Sequence, residues 1–549
     1  MPFGPVQHLA GTVRGPKPHN EPVRDYQPGS TEALELGKEL TRVAGQTRDI
    51  PIVINGVEVQ GRPTSEIRSP HNHANVLGNL AVAEQSDVRS AIDAAMLARH
   101  DWSRTPWWDR LSVFLRAAEL VSGKYRDELN ATTMQGQSKT FHQAEIDSAC
   151  ELADYLRFNC FWAAEIFSDQ PASIGGEWNY ADQRGLEGFV LALTPFNFTA
   201  IAGNLPATAA MMGNTVVWKP SEKSALSSDV VRRVFEEAGI PPGVINTVHG
   251  SGRMISDIAA ADDRLAGLSF TGSTTVFRQL WHKVADNIDH YRSYPRLVGE
   301  TGGKNAVVAH PSADPSALLT GLVRGAFEYQ GQKCSAASRA YIPRSLWHAI
   351  KEPLIELVEA LPVGDVTEHE TFLGAVIDQE AYQRLDDAIK RANALDSHTL
   401  IAGGRTASEE GWFVHPTVFQ TEDPHAFTMT EEFFGPLLTV FVYDDSDWNT
   451  VLELVDSTGF YGLSASIYAT DRTAIAEALG QLRDAAGYVA VNDKPAGAVI
   501  GQQAFGGGRA SGTNDKVGSP LALQRWVSGR FIKENLNPAT SWRYPYMGS

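Results

Sequence analysis

Apolar residues recur every three to four positions over residues 88–98, 110–122 and 144–164, the period of helices that bury one face. From residue 188 to residue 218 the pattern changes, and no Asp, Glu, Lys or Arg occurs. A run of that length invites a membrane-spanning reading, but Pro195, Asn197, Asn204, Pro206 and Asn214 interrupt it. A strand over 188–193, a tight turn at Pro195, a helix through Ala209 and a second strand over 215–218 account for it better, with burial on both faces explaining the missing charges. Strand and helix patterns then alternate through 215–218, 227–238, 244–248 and 265–270, which predicts a parallel, doubly wound nucleotide fold. A second alternating series starts near Asn305 and includes 340–342, 417–420, 438–442 and 463–467. Two stretches of mixed polarity, 173–184 and 526–532, suit edge strands. The first thirty residues scatter Pro2, Pro5, Pro16, Pro18, Pro22 and Pro28 among polar residues; they lack the apolar core of a secretory signal and read as an extended arm.

At 549 residues the chain exceeds what one core accommodates, so two or three structural units are expected. Its 47 basic and 65 acidic residues give a net charge of -18, which disfavours nucleic acid and anionic membranes as partners. Three cysteines, Cys150, Cys160 and Cys334, support neither a disulfide framework nor a CxxC metal knuckle, and point to a reducing, cytoplasmic compartment. No metal is expected: HExxH is absent, and Glu368-His369-Glu370 reads as a solvated loop. Gly250-Ser251-Gly252 opens a GxGxxG fingerprint, but Ile255 stands at its third glycine. The glycine-rich 507–513 lacks a P-loop lysine, so no kinase or ATPase reading survives.

The densest chemistry is in Glu328-Tyr329-Gln330-Gly331-Gln332-Lys333-Cys334-Ser335-Ala336-Ala337-Ser338-Arg339, where a thiol stands among small residues beside one cation. A free cysteine is ordinarily a small buried hydrophobe, and three further segments give this one another meaning. They are Thr194-Pro195-Phe196-Asn197-Phe198, Gly299-Glu300-Thr301-Gly302-Gly303-Lys304 and Glu431-Glu432-Phe433-Phe434-Gly435-Pro436. In order and spacing, from about Asp49 to Lys533, the chain resembles the aldehyde dehydrogenase superfamily. The resemblance implies an α/β fold in three parts. These are a Rossmann-type NAD-binding domain over 1–172 and 185–300 with an N-terminal arm, an α/β catalytic domain over 301–515, and a small β oligomerisation flap over 173–184 and 516–549. Exposed edges of such a flap predict a homodimer or larger homo-oligomer.

Oxidising an aldehyde by hydride transfer first needs a tetrahedral carbon, which a thiolate makes as a hemithioacetal; Cys334 is the candidate nucleophile. The resulting alkoxide needs donors, and the Asn197 amide with the backbone N–H of the nucleophile suits that task; the alternative for Asn197 is a helix cap. Thioester hydrolysis needs a carboxylate to take a proton from water, and Glu300 matches the superfamily's base. Lys333 and the local backbone dipoles are expected to favour the Cys334 thiolate.

For the cofactor, the resemblance implies NAD, with Lys219, Ser221 and Glu222 at the adenine ribose and Gly250 nearby. A carboxylate at 222 accepts from ribose hydroxyls and repels an added phosphate, so NAD is expected over NADP. Phe270-Thr271-Gly272-Ser273 closes a strand and opens a helix where N–H groups can meet pyrophosphate; an ordinary N-cap is the alternative. Glu432 should hold the nicotinamide ribose, with Phe434 packed nearby.

Residues 331–336 and the run Asn492-Asp493-Lys494-Pro495-Ala496-Gly497-Ala498-Val499 resemble the Δ1-pyrroline-5-carboxylate dehydrogenase branch, which oxidises L-glutamate γ-semialdehyde to L-glutamate in proline catabolism. That resemblance implies a substrate-carboxylate anchor at Ser335, Gly497 and Ala498, with Lys333 beside it. It also implies Glu151 on the substrate ammonium, and Phe198 and Phe505 as aromatic walls. Ala498 lacks a hydroxyl that some relatives carry. Bifunctional members fuse a proline dehydrogenase, and sometimes a DNA-binding segment, ahead of this unit; neither is expected here, although a separate proline dehydrogenase partner is. The competing readings are a dehydrogenase of another semialdehyde or aliphatic aldehyde, a thiol hydrolase or acyltransferase, and a non-catalytic nucleotide-binding protein. The hydrolase would need a histidine base, and none adjoins Cys334.

Overall fold

The strand Phe189–Leu193, buried at every position, lies within a seven-stranded sheet seen in a computed structural model that describes residues 13–548. It pairs in parallel with Thr215–Lys219 on one side and Leu265–Thr271 on the other. Arg296–Glu300 continues the parallel array beyond Leu265–Thr271, and Ile245–Thr247 continues it beyond Thr215–Lys219. Val53–Ile54 and Val57–Glu58 complete that side in antiparallel sense. Successive strands thus proceed outward in one direction through residue 247, then return across Phe189–Leu193 to build the other half. The reversal leaves a crevice at the carboxyl ends of Phe189–Leu193 and Leu265–Thr271, where doubly wound sheets take ligands.

Both faces of this sheet are covered, which is why its strands read as continuous apolar runs. Val190, Ala192, Val216 and Trp218 join one core, and Phe189, Leu191, Leu193 and Val217 join another. The helix Thr199–Met211 follows the turn at Pro195. Among the described residues no helix is long and apolar enough to cross a membrane. Helices Gln85–Trp102 and Trp107–Ser122 contain the two first periodic segments. The third departs from expectation. Instead of one α-helix, Glu145–Glu151 is a π-helix that runs into the α-helix Leu152–Ser168. The wider turn turns two acids inward: Glu145 accepts from Arg24 N–H, Tyr26 Oη and Asn130 Nδ2 at 2.8 to 2.9 Å, and Asp147 is fully buried. A 3.6-residue period cannot reveal one inserted residue, and such insertions gather at functional sites.

The second sheet runs in the order His398–Ala402, Thr417–Thr421, Leu437–Tyr443, Ala337–Pro343, Asn305–Ala309, Ser464–Tyr468, Tyr488–Val491. All its pairings are parallel except the first. Only four residues separate Glu300, at the edge of the first sheet, from Asn305, inside the second. The two sheets therefore meet at Gly302-Gly303-Lys304.

Glu177–Arg184 and Ser528–Asn535 form a separate antiparallel ribbon. The second strand starts two residues later than expected because Trp526 and Val527 are buried in the first core. The extended arm is described from residue 13 to the start of helix Thr31–Ala44; residues 1–12 lie outside the described residues.

Candidate active site

Cys334 is half-buried in the loop that enters strand Ala337–Pro343. Tyr329, Gln330 and Gly331 precede it in left-handed conformation, with φ of 52°, 54° and 65°. Two non-glycine residues there cost about 1–3 kcal/mol each unless the surroundings over-determine them. Gln330 supplies such restraint, donating from Nε2 to the Ser138 carbonyl at 2.9 Å and the Ala375 carbonyl at 2.7 Å. Gln332 Oε1 accepts the Ile377 N–H at 2.9 Å. Asn197, just past Phe189–Leu193, donates from Nδ2 to the Gln332 carbonyl at 3.1 Å. The crevice of the first sheet and the nucleophile loop of the second are thereby joined.

Glu300 ends its strand with both carboxylate oxygens buried and without a hydrogen bond of ordinary geometry, although the Gly507 N–H points toward it. Burial holds its pKa well above the usual carboxylate range, Asp515 adds to that, and Lys516 opposes it. Glu432 accepts the Gly303 N–H at 2.8 Å. Burial pushes it up to about 7, against that N–H and the cations Lys304 and Arg384. A Cβ at Gly302 would overlap the Glu432 carboxylate, so a side chain there would push the acid aside. Burial, then the carboxylates of Glu300, Glu432 and Glu151, push the Cys334 thiol up to about 12.

Lys333, expected to favour the thiolate, is engaged by another group. Its ammonium is paired with Glu328, 3.1 Å from Oε2, and is not among the leading charges that act on the thiol. Glu328 also takes Lys494 Nζ at 2.7 Å on both oxygens. Burial alone would raise Glu328, but the two ammoniums hold it down to about 2. Two cations on one carboxylate leave a net positive charge beside the loop that carries Gly497 and Ala498. Gly497 has φ 114°, and no other described residue engages its N–H or that of Ala498.

The remaining candidates fall in two groups. At the crevice, Lys219 ends strand Thr215–Lys219, with Glu222 close enough to oppose the effect of burial on its ammonium. Ser221 caps the short 3-10 turn Glu222–Ser224, and Gly250 has φ 123°. Thr271 ends Leu265–Thr271. Ser273 caps helix Thr274–Asp286, its Oγ accepting the Val276 N–H at 3.3 Å. The Phe270 ring is packed away on Phe277, centroids 5.5 Å apart, with Gly272 tight against it. Phe434, with φ 54°, meets Phe196 edge-on at 5.8 Å.

Around the thiol, Ser335 is buried and Phe198 is half-buried under Lys139. Glu151 ends the π-helix; burial and then Asp147 push it up to about 8, against Lys139. Phe505 donates its N–H to the Val517 carbonyl at 3.0 Å and lies 6.2 Å from the Tyr488 ring.

Sequence reasoning passed over Asn305, Glu328, Lys494 and Tyr155. Asn305 fixes the Cys334 backbone, and its signal was its place just after the Gly302-Gly303 pair. Lys494 stood unassigned inside the quoted 492–499 run. Tyr155 is buried in the combined field of Glu151, Cys334 and Glu300, and no motif marked it.

A model of the aldehyde dehydrogenase family matches residues 57–532. The mitochondrial Delta-1-pyrroline-5-carboxylate dehydrogenase of Mus musculus is 46% identical over 532 residues, covering 96% of this chain and 94% of that protein. Its Homo sapiens counterpart is 45% identical over 529 residues, with 96% and 94% covered. In three dimensions, the Delta-pyrroline-5-carboxylate dehydrogenase of Mycobacterium tuberculosis bound with NAD superposes with a TM-score of 0.95 at 49% identity, over 98% of this chain and 100% of that one.

Proposed function

The chain belongs to the aldehyde dehydrogenase family, and from that premise we propose that it oxidises L-glutamate γ-semialdehyde, the open form of Δ1-pyrroline-5-carboxylate, to L-glutamate with NAD, a step of proline catabolism. The observation that carries this reading is the chain-long similarity, in sequence and fold, to pyrroline-5-carboxylate dehydrogenases.

The crevice fits NAD. Its lining combines a carboxylate at 222 with a capped helix start at Ser273 and a Gly302 whose missing side chain leaves room for the Glu432 carboxylate. Lys219, Ser221 and Glu222 would hold the adenine ribose, Gly250 and the Phe270–Ser273 turn the pyrophosphate region, and Glu432 with Phe434 the nicotinamide ribose. When bound, NAD accepts the hydride.

In this reading Cys334 gives up its proton to solvent and its thiolate sulfur attacks the aldehyde carbon. Asn197 Nδ2 and the Cys334 N–H donate to the alkoxide, each worth about 3 kcal/mol in such sites. Glu300, whose burial raises its proton affinity, takes a proton from the water that opens the thioester, a contribution of about a hundredfold to ten-thousandfold. Ser335, Gly497 and Ala498, supported by the net positive charge of Lys333, Glu328 and Lys494, receive the substrate carboxylate. Glu151 receives the ammonium, and Phe198 and Phe505 flank the methylenes. A substrate with both charges is selected because either one alone would leave a buried group unpaired.

The ribbon leaves Trp178 and Phe531 exposed together with unpaired strand edges, which supports a homodimer or larger homo-oligomer; a monomer in light scattering would overturn this. The division into 1–172 with 185–300, 301–515, and 173–184 with 516–549 belongs to the same proposal, as do a cytoplasmic location and a proline dehydrogenase that supplies the substrate. The mouse and human relatives are named mitochondrial.

The deciding experiment compares kcat/KM for NAD reduction with L-pyrroline-5-carboxylate, succinate semialdehyde, propanal and betaine aldehyde. A strong preference for the first supports the assignment. A flat profile keeps the aldehyde chemistry and removes the roles given to Glu151, Ser335 and Gly497.

A further inference from the structure

Lys139 is 1% exposed and has no part in the chemistry described so far. Its ammonium lies 2.7 Å from Asp147 Oδ2, 4.2 Å from the Phe198 ring centroid and 4.4 Å from that of Tyr329. One cation is thus held between an aromatic ring of the oxyanion segment and one of the nucleophile loop. Each contact gains strength from desolvation.

Asp147 completes the arrangement from the π-helix. Its Oδ2 accepts the Thr199 N–H and its Oδ1 the Ala200 N–H, both at 2.9 Å. These are the first two residues of helix Thr199–Met211, whose own N-cap residue, Phe198, provides no side-chain cap. A carboxylate there satisfies two orphan donors and complements the helix dipole. Asn197 and Phe198 immediately precede those two amides, so the carboxylate fixes where they leave the helix. Ser138, next to Lys139, has φ 57°; its carbonyl receives Gln330 Nε2 at 2.9 Å and its Oγ receives the Ala375 N–H at 2.9 Å. The same short segment therefore reaches the left-handed turn ahead of Cys334.

We propose that Lys139 and Asp147 act together as a positioning clamp that holds the Asn197 amide and the Cys334 thiol in register for attack on the aldehyde. The proposal rests on the dehydrogenase reading. Removing either partner leaves the other buried and uncompensated, so the two should behave as one unit.

The test uses the full-length chain with Lys139→Met, the isosteric Asp147→Asn and the double variant. NAD binding stoichiometry, followed by fluorescence, counts folded sites, and iodoacetamide reaction at Cys334 reports an intact nucleophile loop. Single-turnover NADH formation, with enzyme in excess over propanal or L-glutamate γ-semialdehyde, reports the step the clamp serves. The expected result is NAD stoichiometry and Cys334 alkylation within about threefold of the unsubstituted enzyme. NADH formation should slow by about tenfold or more for both aldehydes, with steady-state KM little changed, and the double variant should be no slower than the worse single one. Single-turnover rates that stay at the unsubstituted level overturn the clamp. So do losses that multiply in the double variant, or a fall in NAD stoichiometry that accounts for the lost rate. The unsubstituted enzyme run alongside separates the two readings: absence of NADH there counts against the dehydrogenase, whereas failure of the clamp shows only in the variants.

Discussion

Asn305 Nδ2 donates to the Cys334 carbonyl at 2.7 Å and to the Ala336 carbonyl at 2.9 Å, while its Oδ1 accepts the Ser464 N–H at 3.1 Å. One amide thus ties the nucleophile's backbone to the central strands of its sheet. Asn305→Ala leaves those carbonyls without their donor, a cost of about 2–4 kcal/mol, and frees the loop to shift. The expected outcome is a lower urea midpoint with kcat reduced by about a hundredfold. Unchanged kcat in a destabilised variant would show that the loop holds its place without this residue.

Gly302 and Glu432 make a second such pair. Because a Cβ at 302 would overlap the Glu432 carboxylate, Gly302→Ala should displace the acid from the Gly303 N–H and weaken NAD binding by about tenfold or more, near 1.4 kcal/mol. Fluorescence titration with NAD measures this directly. Gly497→Ala, in the loop assigned to the substrate carboxylate, should leave NAD affinity unaltered.

The two pairs differ in how far the sequence could disclose them. The charge-free run of 188–218 was readable because strands covered on both faces exclude charge, and Glu300, Asn197 and Cys334 were readable because their segments carry distinctive neighbours. The direction of the Lys333 side chain was not. Adjacency to Cys334 in sequence suggested a thiolate-stabilising cation, but the left-handed turn at Tyr329, Gln330 and Gly331 folds Glu328 back onto that ammonium. Nor could periodicity place Glu145, Asp147 and Glu151, since the π-helix rotates them relative to an α-helical count. Asn305 reaches Cys334 across 29 positions, a contact that only the packing of two parallel strands creates.

The charges around Cys334 predict its reactivity. With the thiol pushed up to about 12 by burial and three carboxylates, thiolate is scarce at neutral pH. Iodoacetamide alkylation of the free enzyme should climb about tenfold per pH unit, with no plateau below about pH 10. Lys333→Met should change that rate by less than about twofold, since Glu328 already occupies the ammonium. Cys150 and Cys160, both buried with thiols raised by burial, should stay unmodified in the folded protein. A plateau near neutral pH, read by mass spectrometry, would mean that a cation reaches the sulfur after all.

Glu300 predicts a separation of steps. Burial raises its pKa, so the base form is the one gained as pH rises, and the rate of acyl release should rise with it. Glu300→Gln should remove that pH dependence and slow acyl release by about a hundredfold or more, while a stopped-flow burst of NADH survives. Loss of the burst would reassign Glu300 to the steps before hydride transfer.

Glu151 carries the sharpest pH prediction, because its role depends on the substrate's charge. Burial and Asp147 push its pKa up to about 8 in the free enzyme. Below that value the side chain is neutral and offers the substrate ammonium a weak partner; above it the carboxylate forms and the pairing is gained. For L-glutamate γ-semialdehyde, kcat/KM, which reports groups of the free enzyme, should therefore carry an extra ascending limb that levels near pH 8. Glu151→Gln should abolish this limb and lower kcat/KM by about tenfold to a hundredfold, the range of a charge-assisted hydrogen bond. Running the variant with the same substrate cancels any pH dependence of its ring opening, and propanal, which has no ammonium, should show neither the limb nor the loss. An equal effect of Glu151→Gln on both aldehydes would mean that the acid acts on the reacting centre through Cys334 and not on the substrate's charge.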